Sequence, residues 1–363
     1  MKKEFKKEKF VLTSGKNDRD DSNSPAKPIS MRGRSLSFSA PIHRDAYTCQ
    51  PESPAARYLS EFSYRDDFYD IPEFEEGMVI NNYLLGQRLG GGAYSECREA
   101  YILNYKDSNN SSIPNKVALK IITDPRYLAT FRREIQIWSK LSHPNILPLI
   151  ESFSGDGYIV AASVLAEHGN LHAYISKNGK LYENLALRWF KQIVSAIHYL
   201  HEVEKIVHLD VKLENILLRK NDDVYLCDFG MSTGEGFPNF EDLLETFDGN
   251  DQFCSGSVTS LPPEVLSSSS TSVKSNCENA FEIKKKQDIW ALGVTLYAMI
   301  TGRLPFNDDF LPRLQHSIVF GDYKPLPEDT PGEIKTLISN LLSKNPENRP
   351  STKQIMDTAW FCK

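Results

Sequence analysis

Cysteine is sparse in this chain and never closely paired. The six among 363 residues, Cys49, Cys97, Cys227, Cys254, Cys277 and Cys362, form no C-x-x-C unit, which argues against a zinc site or a disulfide framework. A reduced compartment is expected, cytoplasmic with a nuclear share. No apolar run approaches the ~20 residues of a membrane-crossing helix, so no membrane contact is expected. An excess of one charge is also lacking: 42 Lys and Arg against 48 Asp and Glu leave a net −6, and no nucleic-acid partner is expected from so mild a balance. Basic residues vanish altogether from residues 231–261, which hold Glu235, Glu241, Asp242, Glu245, Asp248 and Asp251. A solvated acidic loop is the plain reading of that segment.

The length suits one large domain plus a tail, not a second large domain. Residues 1–78 are polar, serine-bearing and dotted with proline, which predicts a largely disordered regulatory tail. Its lysine-rich start also carries acids, unlike a mitochondrial presequence, and reads as a solvated charge run. From Tyr64 to Glu76 the tail turns acidic and aromatic, a patch that either packs on the next lobe or only links to it.

The chemistry is concentrated in His208-Leu209-Asp210-Val211-Lys212-Leu213-Glu214-Asn215, followed after a short hairpin by Asp228-Phe229-Gly230. Two carboxylates, a lysine and an asparagine at this spacing suit phosphoryl transfer, which needs a group to orient a hydroxyl, a cation for the moving phosphoryl, and oxygen ligands for magnesium. Upstream, Leu89-Gly90-Gly91-Gly92-Ala93-Tyr94-Ser95-Glu96-Cys97 reads as two strands around a glycine turn whose N–H groups can approach phosphate; alone it would be an ordinary hairpin. Val117-Ala118-Leu119-Lys120-Ile121-Ile122 is an apolar strand broken by one lysine. A buried ammonium needs an anion, and Glu134 lies on an amphipathic helix whose apolar face is Phe131, Ile135 and Trp138. A Lys120–Glu134 ion pair aimed at phosphates is expected; two unrelated surface charges are the bland alternative.

In this order of motifs the chain resembles the eukaryotic protein kinase family, of serine/threonine type. Pro262-Pro263-Glu264, Asp288-Ile289-Trp290-Ala291-Leu292-Gly293 and Arg349 as ion-pair partner of Glu264 extend the resemblance, which runs from about Tyr83 to the end. It implies an α+β bilobal fold: a small antiparallel β-sheet lobe with one main helix, about 79–163, and a larger, mostly helical lobe, about 170–363. Polar insertions are expected near 104–115 and 267–279. ATP and Mg2+ are the implied cofactors, and protein substrates the implied partners of a monomer. By resemblance Asp210 orients the substrate hydroxyl, Lys212 neutralises the phosphoryl, and Ser257 steadies both; Asn215 and Asp228 hold magnesium. Residues 89–97, with Ala118, Lys120, Glu134 and Leu217, would bind ATP, and Leu89, Cys97, Ala118 and Leu217 would wall the adenine while also suiting a core. A pseudokinase acting by binding is the runner-up, against which Lys120, Asp210, Asn215 and Asp228 are all intact. A small-molecule kinase is disfavoured by the peptide-docking segment around Gly256-Ser257 and Pro262-Pro263-Glu264.

Several positions depart from the family pattern. Ser95 replaces the third glycine of the loop. Leu209 stands where regulated kinases carry an arginine, and leucine cannot bind a loop phosphate through charge-assisted hydrogen bonds, so activity without loop phosphorylation is expected. Glu214 matches a basic-residue contact of arginine-directed kinases, while Asn170 replaces a second glutamate, leaving only a lean toward basic substrates. Arg32-Gly33-Arg34-Ser35-Leu36-Ser37 offers the tail itself as such a substrate. Strand 158–162 leads to a hinge at 163–169, with Ser163 as a small residue behind the adenine. A helix with Trp189, Ile193, Ala196, Ile197 and Leu200 on one face should carry the catalytic loop; Trp290, Leu292, Val294, Leu296 and Met299 should lie on a buried helix. His198 and His201 read as surface or capping residues.

Overall fold

A computed structural model describes residues 74–91, 95–103, 115–221, 223–234, 236–237, 258–267 and 277–363, the side chains of 277–279 excepted. The first half builds a sheet. Strands β1 (Val79–Ile80), β2 (Tyr83–Gly91), β3 (Glu96–Ile102) and β4 (Lys116–Ile122) are followed by helix α1 (Leu128–Trp138), then β5 (Leu149–Gly155) and β6 (Tyr158–Val164). All six strands pair antiparallel in the order β1-β2-β3-β4-β6-β5.

Alternation decides what each face of this sheet meets. Along β4, Val117, Leu119 and Ile121 sink into an apolar cluster with Leu85, Ala100, Val160 and Ala162. Ala118 and Lys120, on the other face, are only half-buried. Phe74 joins the same cluster: its ring meets Tyr158 edge-on at 5.3 Å, and its carbonyl accepts from Arg98. Residues 74–78, assigned by sequence to the tail, therefore pack on the small lobe, and the acidic-aromatic patch ends as part of it. The rest of that tail lies outside the described residues, as do most of the two insertions. The second insertion is shorter than expected, because residues 277–279 already form the first turn of a helix.

The large lobe begins with α2 (Leu171–Asn178), α3 (Glu183–His198), β7 (Ile206–Val207), β8 (Ile216–Leu218), β9 (Val224–Leu226) and β10 (Thr233–Gly234). It continues with α4 (Pro263–Ser267), α5 (Cys277–Thr301), α6 (Leu311–Phe320), α7 (Gly332–Leu341) and α8 (Thr352–Met356). Local chemistry sets several ends. The Asn170 side chain accepts from the Ala173 N–H at 2.8 Å and caps α2, which stops at Gly179 with φ +78°. A capping box of Ser351 and Gln354 starts α8. All five apolar residues expected on this helix are buried, four of them in α3 and Leu200 in the turn after it, with Phe190 and Val194 beside them. From Ile289 to Ile300, α5 is apolar nearly all round and runs through the middle of the lobe. His201 departs from expectation: it lies buried in a π-helical turn after α3, its Nε2 2.8 Å from the Asp288 carboxylate.

Candidate active site

The half-buried face of β4 looks across a cleft at the loops of the large lobe. Lys120 Nζ donates to both Glu134 oxygens, at 2.8 and 2.9 Å, and to Asp228 Oδ1 at 3.1 Å. The expected ion pair is thus present, with a second carboxylate added. Glu134 turns inward with Phe131, Ile137 and Trp138, while Ile135 is only half-buried. The inner face of α1 is therefore rotated from the one read in sequence, because it must bring Glu134 to the Lys120 ammonium as well as bury apolar side chains. Burial opposes the charge on Lys120, but Asp228 and Glu134 outweigh it and hold the ammonium protonated well above the usual lysine range. Burial pushes the Glu134 carboxyl up to about 7 against the pull of Lys120. Lys120 lowers Asp228 to about 2. This last carboxylate is ionised across the working range of any cell.

The catalytic loop hangs from the large-lobe core by backbone hydrogen bonds. Asp288, at the buried start of the apolar stretch of α5, accepts from the N–H of His208 at 2.9 Å and of Leu209 at 2.8 Å. Leu209 is held in the left-handed region, φ +64°, a conformation that a non-glycine residue keeps only when its surroundings insist. Next to it, the Asp210 carboxylate receives Lys212 Nζ at 2.7 Å and Asn215 Nδ2 at 2.8 Å. Burial raises the Asp210 carboxyl above its ordinary value despite Lys212. A carboxylate with two fixed donors is aimed, and it keeps lone pairs for a hydroxyl.

Glu134, Lys120 and Asp228 on one side, and Asp210, Lys212 and Asn215 on the other, are brought together as the sequence indicated. The donor set suits magnesium. Magnesium is commonly held by one or two protein oxygens together with phosphate oxygens. Asp228 offers an ionised carboxylate. Asn215, its amide nitrogen turned to Asp210, offers a carbonyl oxygen.

The adenine-wall candidates share one feature. Cys97, Ala118 and Leu217 are half-buried, the last two between fully buried strand neighbours, and Leu89 is 44% exposed. None of the four is fully buried, and Leu217 also packs against the large-lobe core. Leu217 is held there by a bridge to Asn170 and by Leu218 N–H to Gly169 carbonyl at 2.8 Å. Burial raises the thiols of Cys97 and Cys227, so neither is an activated thiolate. Of the two described loop glycines, Gly91 has no room for a side chain: a Cβ there would lie 2.5 Å from the Ser95 carbonyl oxygen. Gly90 has open space. Glu96 pairs with Arg98 at 2.8 Å and is held on β3. Gly92, Ala93, Tyr94 and Ser257 lie outside the described residues.

Two sequence expectations shift. Ser163 is inside β6, not in the hinge: it pairs with Ala118 and is buried. The connection between lobes starts after Val164. Asn170, its side-chain oxygen bound in the cap of α2, is a structural residue at the position where an acidic contact was sought. Two features escaped the sequence reading. Asp288 was noted only as part of a buried segment, and Arg133 looks identical to its neighbour Arg132. Arg133 is buried and donates to the carbonyls of Gly230, at 3.3 Å, and Ser232. Farther off, Arg349 and Glu264 form the expected pair, doubly bonded at 2.7 Å.

Residues 83–361 match the model of the protein kinase domain. The chain is 31% identical over 291 residues to CBL-interacting serine/threonine-protein kinase 20 of Arabidopsis thaliana, covering 79% of this chain and 60% of that protein. It is 32% identical over 305 residues to fatty acyl-CoA synthetase and RNA processing-associated kinase 1 of Saccharomyces cerevisiae, covering 78% and 32%. Against human hormonally up-regulated neu tumor-associated kinase the identity is 30% over 301 residues, covering 80% and 38%. The chain belongs to the protein kinase domain family, on its serine/threonine side. It spans at most about three fifths of the length of these curated relatives.

Proposed function

We propose that this chain is an active, ATP- and magnesium-dependent kinase that transfers the γ-phosphoryl group to serine and threonine hydroxyls of protein substrates. One observation carries the reading: Lys120, bridged between Glu134 and Asp228, stands across the cleft from an Asp210 already held by Lys212 and Asn215. A pseudokinase has no need to keep both halves.

In this reading Lys120 binds the α- and β-phosphates, and Asp228 with Asn215 holds Mg2+, which supplies charge neutralisation on the phosphates. Asp210 orients the acceptor hydroxyl and takes its proton as the oxygen attacks. Lys212 stabilises charge on the phosphoryl oxygens, and Ser257 steadies the pair. Residues 90–95 cover the phosphates; Leu89, Cys97, Ala118 and Leu217 enclose the adenine. Leu209 favours activity without a phosphate on the activation segment. The acid-rich residues 231–261 and exposed Glu214 favour substrates with basic residues, the chain's own Ser35 and Ser37 among them. The scattered cysteines favour a cytoplasmic or nuclear setting, where the chain would act as a monomer.

The test is phosphate incorporation into a degenerate serine/threonine peptide library, with the Asp228→Ala protein as control. Transfer by the wild-type chain alone supports the reading. Magnesium-nucleotide binding without transfer to any peptide would leave the pseudokinase.

A further inference from the structure

Two adjacent residues of α1 hold the same short run of backbone. Glu134 accepts from the N–H of Phe229 and from Lys120. Arg133 donates to the carbonyls of Gly230 and Ser232. One turn of helix thus grips residues 229–232 through a donor and two acceptors. The Ser232 hydroxyl continues the chain of contacts by donating to the His208 carbonyl at 3.2 Å, and His208 Nδ1 accepts from the Asp210 N–H at 3.2 Å. At the head of the gripped segment Asp228 sits at φ +68°. That left-handed conformation is uncommon outside glycine, although aspartate tolerates it better than most.

The arginine suits this task for a chemical reason. Its guanidinium is ionised at all accessible pH and presents a planar fork, so two carbonyls at fixed separation can share it. Buried, it has a strong requirement for those acceptors. Arg132, one position earlier, is exposed, so the role belongs to a single position.

Resting on the kinase reading above, we propose that Arg133 is a positioning residue for the magnesium nucleotide. From α1 it fixes residues 228–232 so that Asp228 faces the cleft, and it does so without a phosphate on the activation segment. The anchor is made of main-chain carbonyls, which no phosphatase can remove.

The test uses the full chain after phosphatase treatment, as wild type, Arg133→Leu and Arg133→Lys. Calorimetry measures affinity for ATP with Mg2+ and for ATP in EDTA, and thermal melts establish folding. Losing charge-assisted hydrogen bonds of this kind is expected to weaken Mg2+-ATP binding by Arg133→Leu about ten- to a hundredfold. Metal-free ATP, which meets Lys120 without calling on Asp228, should bind nearly as before. Arg133→Lys, able to reach one carbonyl but not to fork, should fall between. A folded Arg133→Leu protein that binds Mg2+-ATP like wild type overturns the proposal, as does equal weakening with and without metal. Should Arg133→Leu give no cooperative melt, Arg133→Lys decides by the same criterion. Wild-type binding of Mg2+-ATP without phosphate transfer would remove the kinase reading and leave this inference to stand or fall on the binding data.

Discussion

Lys120 and Arg349 are both cations bound to a glutamate between packed elements, yet their surroundings differ in one decisive way. Arg349 is fully buried; its guanidinium meets both Glu264 oxygens and the carbonyls of Ser343, Lys286 and Lys344, with the Trp290 ring 5.0 Å away. Every donor direction is taken. Lys120 keeps 22% of its side chain exposed, and one of its two carboxylates, Asp228, is 40% exposed. The first arrangement closes a structure. The second can trade a carboxylate for phosphate with little rearrangement. Burial of a charge pair by itself therefore says little about role; the open side of the pair does.

That contrast can be broken experimentally, and the largest effect should come from the open pair. Lys120→Met and Asp228→Ala are expected to abolish measurable phosphate transfer, and Asp210→Asn to lower it by about 10²–10⁴-fold, each protein still giving a cooperative melt. Asp210→Asn transferring at the wild-type rate would remove its assigned role. The closed pair should behave in reverse. Arg349→Ala removes a buried guanidinium that five acceptors hold and should cost about 3–5 kcal/mol of stability, read by urea denaturation. A stable Arg349→Ala protein would show that the five acceptors are incidental.

Titration sharpens the same comparison more gently. The Glu134 carboxyl is raised to about 7 from its ordinary 4.5, so the fold holds that proton more tightly than the unfolded chain does. Its contribution to stability therefore declines as pH rises from 4.5 toward 7. Asp228 has the opposite sign: lowered from 3.8 to about 2, it contributes stability above 3.8 that is lost as pH falls toward 2. Denaturation series across pH should show both slopes, and Glu134→Gln should flatten only the upper one. The smallest effect is steric. Ser163, buried at the inner edge of β6, should let an adenine analogue with an added bulky group bind about as well as its parent, and Ser163→Met should exclude it. Equal binding of the bulky analogue to both proteins would place that group elsewhere.

Much of this site could be read from residues alone because each element posed a physical problem with few solutions. A lysine inside an apolar strand demanded an anion, and Glu134 was the candidate on the following helix. The catalytic loop carried its chemistry in consecutive letters. What could not be read depended on partners remote in sequence. His201 resembled a surface histidine until Asp288, 87 positions later, was folded against it. Arg132 and Arg133 are indistinguishable as letters; which one turns inward is decided by where the carbonyls of Gly230 and Ser232 lie. Ser163 belonged to the strand because its ladder with Ala118 continues to Val164 and Val117, a pairing that periodicity does not reveal.

Phe74 has a practical corollary. The family match starts at residue 83, and trimming the gene there would delete both Phe74 and Ile80 from the small-lobe cluster. The shortened protein would leave Tyr158 and the edge of β2 bare, inviting aggregation or a loosened glycine hairpin that could be mistaken for intrinsic inactivity. Any minimal catalytic fragment should keep the chain from at least residue 74.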